Sequence, residues 1–130
     1  MKFSLEAATT ANQIHAYDDD HIVIRQKDTS ELIQLDASLI VTPHQIISDW
    51  SINTLSAITE QDIHYLKQFE AEIIILVTHS SKPQLSFALS TQFARQNIAV
   101  EFMSLGAACR SYNLLILDDR KVLLAIPFDK

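Results

Sequence analysis

The chain has 130 residues, 48% of them hydrophobic and 20% charged, a length and balance that suit one folded domain with its own core and exclude disorder. Its formal net charge of −6 argues against a nucleic-acid partner, whose phosphates need a basic footprint, and against a bare anionic membrane surface. One cysteine, Cys109, can form no internal disulfide, and the longest apolar run, residues 73–77, is too short to cross a bilayer. The first residues carry a single lysine and no continuous apolar stretch, unlike a signal peptide or presequence. These features predict a cytoplasmic protein with no direct membrane insertion.

The whole chain, 1–130, reads as a single domain, with residues 1–12 a loose arm or an edge strand at 2–6. Residues 13–26 read as two strands joined at Asp18, Asp19 and Asp20, with Ile22 and Ile24 on one face and Val23 and Arg25 on the other. After a turn at 27–30, residues 31–43 form one long extended segment stopped by Pro43, with a bulge at Asp36 and Ser38. Residues 44–58 have few helical features and read as a connector that lays Trp50 over the core. Thr59 caps a helix with Asp62 reaching back to it, and Ile63, Leu66 and Phe69 are spaced for one buried stripe.

Residues 72–79 are a continuous β-branched run, the mark of a strand covered on both faces. The chain breaks at 80–83, and 84–97 follow as a helix with Leu85, Leu89 and Phe93 on one face and Asn97 near its end. Residues 98–103 are the next strand. Residues 107–117 are a helix with Ala108, Tyr112, Leu115 and Ile116 inward, and 122–128 are a last buried strand. Together these elements predict an α/β fold of three layers: a mixed central β-sheet with packed helices and a smaller set of N-terminal strands.

Glycine is scarce, and Gly106 stands alone in the chain, so turns must rest on Asp, Asn, Ser and Pro. That scarcity rules out a glycine-rich phosphate loop, a dinucleotide fingerprint and a nucleophile elbow. Two chemical readings converge on one crevice, between Thr78, His79 and Ser80 at a strand end and Gly106, Ala107, Cys109 and Arg110 at a helix start. In the first, Cys109 is a nucleophile beside Arg110, with His79 as base. In the second, free N–H groups from Gly106 to Ala108 and the charge of Arg110 hold a small molecule or anion.

Against both stands a structural reading, which the residues favour. Cys109 is then a small buried hydrophobe, Ser104 caps the helix, Arg110 pairs with a nearby acid, and Gly106 eases the turn into the helix. The five histidines, His15, His21, His44, His64 and His79, form no HxH or HxxxH pair, and the runs Asp18–Asp20 and Asp118–Asp119 lack the alternation of a calcium loop. No metal, cofactor or catalytic residue is therefore assigned.

Residues 100–128 carry Val100, Glu101, Met103, Ala107, Ala108, Cys109, Arg110, Tyr112, Asn113, Leu115 and Arg120. In this pattern the segment resembles a family of small proteins of unknown biochemical function that includes mitochondrial complex I assembly factor 3 and an adipogenesis-associated animal protein. Residues 14–24, residues 39–43, Trp50 and the helix start at 58–63 follow in the family's order, so the resemblance covers about residues 14–128. The chain departs from the pattern at Thr78, His79 and Ser80, where relatives carry Gly-Thr-Gly, and at Leu105, where they carry threonine. The resemblance implies a three-layer α/β fold with a mixed central sheet and no catalytic activity. In the binding-module reading Tyr112 is buried against the sheet with its hydroxyl bonded, and Arg110 pairs near the crevice. It also implies an assembly or interaction role toward a respiratory membrane complex. The expected function is a non-enzymatic binding module with a protein partner, self-association being one option, and the small-molecule crevice is the alternative.

Overall fold

The first three strands, β1 (Gln13–Asp18), β2 (His21–Arg25) and β3 (Leu32–Leu35), form an antiparallel sheet in the order β1-β2-β3, in which burial alternates along β2 and β3 while β1 buries only Ile14. The computed structural model describes residues 10–79 and 83–128, so the expected strand at 2–6 and Ser80 lie outside the described residues. Ile24 pairs with Ile14 on one side and Ile33 on the other. Ile22 and Ile24 are fully buried while Val23 and Arg25 are not, as the period of two requires. The irregularity in register falls in β1, between Ile14 and Ala16.

The long extended segment expected over 31–43 is divided. β3 ends at Leu35, and β4 (Leu39–Val41) joins a different sheet. Ser38, 2% exposed, is the corner. Its hydroxyl donates to Asn53 Oδ1 at 3.0 Å and accepts from the Phe128 amide at 2.8 Å, and its carbonyl accepts from the Trp50 amide at 3.0 Å. A buried hydroxyl with partners from two distant segments holds the chain where a continuing strand would have left them unpaired.

The second sheet has five strands in the order β5-β4-β8-β6-β7, with β5 (Ile46–Ile47), β6 (Ile73–Val77), β7 (Val100–Met103) and β8 (Val122–Ile126). β4 pairs antiparallel with β5 and β8, whereas β6 pairs parallel with β7 and β8, so the sheet is mixed. The unbroken apolar runs sit in its centre, and all five residues of β8 are buried. The supposed connector at 44–58 contributes β5 and a 3₁₀ turn at Leu55–Ala57, and Trp50 is buried in the core beside them.

Helices α1 (Glu60–Lys67), α2 (Pro83–Arg95) and α3 (Leu105–Leu117) complete the layers. Thr59 and Asp62 form the expected capping box, with Asp62 Oδ2 accepting from the Thr59 amide at 2.8 Å. Ile63 and Leu66 of α1, Leu89 and Phe93 of α2, and Trp50 pack on one face of the large sheet, against Ile40, Ile74, Leu76, Leu123 and Ala125. The other face, with Val41, Ile75, Val77, Leu124 and Ile126, is covered by α3 and by Ile14, Ile22 and Ile24 of the small sheet. The architecture is therefore the expected three-layer α/β fold with a mixed central sheet and a smaller N-terminal sheet.

Candidate functional site

α3 carries most of the chemistry read from the sequence, and its side chains fasten it to β1. Ala108, Cys109 and Tyr112 are at most 1% exposed and belong to the core under the small sheet. The Tyr112 hydroxyl donates to the Asn12 carbonyl at 2.9 Å. Asn113 acts as a substitute strand: its Oδ1 accepts from the Ile14 amide at 3.0 Å and its Nδ2 donates to the Ile14 carbonyl at 2.9 Å. One amide side chain thus satisfies both backbone groups of a strand residue, as a ladder neighbour would. Arg110 Nη1 donates to the Tyr17 hydroxyl at 3.2 Å.

These bonds correct the details of the structural reading. Arg110 meets a tyrosine hydroxyl rather than an acid. Ser104 stands at the N-cap with extended backbone, but its side chain makes no capping bond. Gly106 lies inside the first turn of α3 and has no positive φ, so the helix begins two residues earlier than expected and the glycine serves a different purpose. A Cβ on it would come within 2.9 Å of the Tyr17 hydroxyl and 3.2 Å of Arg110 Nη1. The missing side chain makes room for the contact that ties β1 to α3.

Cys109 faces the core. Burial pushes its thiol up to about 12 against the pull of the Arg110 guanidinium, which leaves essentially no thiolate near neutral pH. Burial likewise raises the Tyr112 phenol above its ordinary range. His79 turns to the end of β8: its Nε2 lies 2.7 Å from the Pro127 carbonyl, and its ring stacks on Phe128 with centroids 5.9 Å apart. A carbonyl only accepts, so Nε2 carries the proton. The Thr78 amide donates to the Met103 carbonyl at 2.8 Å and prolongs the pairing of β6 with β7. The structure therefore divides the expected residues into two groups. Gly106 and Arg110 are engaged with β1, and Thr78 and His79 with the ends of β7 and β8. Ala107 is partly buried on α3 between its neighbours Gly106 and Ala108.

Asn12 and Tyr17 are the partners that sequence reasoning missed. Asn12, 3% exposed, bonds Pro43 through its amide at 2.8 Å, Thr42 through Nδ2 at 3.0 Å and the Lys27 amide through Oδ1 at 2.9 Å. The signal available in the sequence was weak: one asparagine at the margin of a predicted arm.

The histidines scatter. His15 lies 3.0 Å from Arg25 Nη2, and His64 lies 3.2 Å from Gln68 Nε2. Among the described residues, three metal-capable ligand atoms come within 4.8 Å of one another only at Asp18, Asp20 and His21. This is the exposed turn of the β1–β2 hairpin, where His21 Nδ1 sits 2.8 Å from Asp18 Oδ1. The Asp20 amide, more than any charge, holds the Asp18 carboxyl below the usual range. Asp18 thus acts as a turn acceptor.

A motif helix clamped by side chains to a small sheet, both lying on a mixed sheet, defines a class of small three-layer α/β proteins. The chain belongs to the DUF498/DUF598 family of proteins of unknown function, whose pattern matches residues 14–127. Its fold is similar to that of a protein from Bordetella parapertussis, with a TM-score of 0.69 and 24% identity over 94% of this chain and 99% of that one. A protein from Xanthomonas campestris is similar at a TM-score of 0.66 and 21% identity, over 91% of this chain and 85% of that one. A Bordetella pertussis protein described as a Mth938-like domain is similar at 0.65 and 20%, over 94% and 89%. No curated protein matches the chain. Among the described residues no helix is long and apolar enough to cross a membrane.

Proposed function

We propose that the protein is a non-enzymatic binding module that acts in assembly and recognises a protein partner through the outer face of α3. One observation carries this reading. α3 is apolar around most of its circumference, and it presents Leu114 and Leu117, 67% and 66% exposed, one turn apart on the side away from the core. Apolar side chains on both faces of a helix are characteristic of one that is covered on both faces. The motif side chains on its inner half hold that surface rigid against β1. The family resemblance supplies the partner's class, a component of a respiratory membrane complex under assembly, met from the cytoplasmic side.

A photo-crosslinking residue placed at position 114 tests this in the source cell. It yields a discrete adduct with another polypeptide, and the same residue at exposed Gln61 on α1 does not yield that adduct. An adduct of twice the chain mass identifies self-association instead of a separate partner. Absence of any adduct specific to position 114 overturns the reading.

The alternative, an anion or small-molecule site at the first turn of α3, draws support from Arg110 and from the uncapped Ser104 side chain. Titration with inorganic phosphate against an Arg110→Gln variant tests it, and a saturable shift confined to the parent chain is the result it requires.

A further inference from the structure

On the face of the large sheet opposite α3, a hollow of about 300 Å³ opens between the chain after β5 and helix α1. Its walls are Ile47, Asp49, Trp50, Ser51, Asp62 and Tyr65. Two acidic and two aromatic residues thus line it, with no basic residue among them, and of the two aromatics Trp50 is largely buried in the core. Asp62 Oδ2 is engaged by the amide and hydroxyl of Thr59, whereas the Asp49 carboxylate has no hydrogen-bond or ion-pair partner among the described residues. The Tyr65 ring, 42% exposed, is steadied by an edge-on contact with Phe69, centroids 5.5 Å apart at 89°.

We propose that this hollow binds a guanidinium group of the kind arginine carries. An anion is repelled by the two carboxylates and by the net charge of −6. A hard metal ion wants several oxygens converging on one point, and the described residues bring three ligand atoms together only at the distant β1–β2 turn. A neutral apolar ligand strips water from Asp49 and returns nothing for it. A guanidinium meets both demands. It is planar and weakly hydrated, it packs along an aromatic ring, and its fork of N–H donors matches a carboxylate. This site lies on the other side of the sheet from the α3 surface and stands or falls independently of it.

Trp50 is the sole tryptophan in the chain, so its fluorescence reports the hollow directly. The probes are free L-arginine and N-acetyl-arginine-N-methylamide, with the citrulline counterpart of each as a neutral isostere, at constant ionic strength. Both arginine probes produce a saturable change in Trp50 emission, with a dissociation constant of roughly millimolar size, the scale for one small ligand. Citrulline produces none, and Asp49→Asn, at an exposed position, weakens arginine binding about tenfold, the worth of one charged hydrogen bond. Tighter binding of the blocked probe assigns the site to arginine within a polypeptide, and tighter binding of the free amino acid assigns it to a metabolite. No saturable response to either arginine probe, an equal response to citrulline, or an unchanged response in Asp49→Asn overturns the proposal.

Discussion

At Cys109 two influences oppose each other: burial disfavours the thiolate and the Arg110 guanidinium favours it. Burial wins, and the thiol is pushed up to about 12. An unfolded thiol titrates near 8.5, so the folded state holds this proton more tightly than the unfolded one. Its contribution to stability is complete below about pH 8.5 and is lost as the pH rises toward the folded value. Urea unfolding at a series of pH values should therefore show stability declining above pH 9, with a shallower decline in Cys109→Ala, which lacks the titrating group. Parallel profiles for the two proteins would contradict the assignment. Iodoacetamide should label the native chain slowly and the denatured chain fast. The sequence favoured the buried thiol that the structure shows, but no local signal required it. Cys109 beside Arg110 near a helix start is also the local pattern of an activated thiol. Only the layer above α3, the small sheet with Ile14, Ile22 and Ile24, separates the two cases, and that layer comes from the far end of the chain.

The contact between α3 and β1 is where one element depends on another. Asn113 completes the hydrogen bonding of Ile14, and Tyr112 does the same for Asn12. Asn113→Ala leaves an amide and a carbonyl of β1 without their partners and should cost about 1–3 kcal/mol, the range for unsatisfied buried polar groups. Amide exchange at Ile14 should accelerate more than at Ile24, whose neighbours on both sides are strands. Equal acceleration at both sites would mean that Asn113 stabilises the protein only globally. Ser38→Ala should cost a similar amount, about 1–3 kcal/mol, because it strips the Phe128 amide of its acceptor. The strands and helices themselves were legible, since period-two alternation, β-branched runs and the Thr59–Asp62 cap are local signals. The corner at Ser38 was not. Residues 31–43 are locally uniform, and the change of sheet is imposed by Asn53, Trp50 and Phe128, which lie 12 to 90 residues further along the chain.

Across the whole molecule, helix ends raise a problem that composition makes visible. Left-handed backbone suits glycine, because any Cβ crowds the following carbonyl. Yet the single glycine is used for close packing at Tyr17, and the described left-handed positions fall to Asp28, Ser30, Glu70, Asn97 and Asp119. Two of them complete full helix-ending motifs. Past α2, the Ile98 amide reaches the Phe93 carbonyl at 3.1 Å and the Asn97 amide reaches Ala94 at 3.0 Å. Past α3, the Arg120 amide reaches Leu115 at 3.0 Å and the Asp119 amide reaches Ile116 at 3.1 Å. The geometry is the one that glycine most often closes, so the chain carries avoidable strain at these ends. Past α1, Glu70, whose amide reaches the Lys67 carbonyl at 3.0 Å, is left-handed too, at φ 57. Asparagine and aspartate tolerate the conformation better than glutamate, so Glu70 is the costliest of the three, and Asp119, at φ 59, also has strain for a glycine to relieve. Glu70→Gly and Asp119→Gly should each stabilise the fold by about 0.5–1 kcal/mol, because the relief of strain outweighs the extra freedom that glycine gives the unfolded chain. The two sites follow different helices and share no hydrogen bond, so their effects should add. The double variant should then melt roughly 4–8 °C higher by calorimetry. An unchanged or lowered melting temperature would mean that the aspartate and glutamate side chains contribute at these turns as much as their backbones cost.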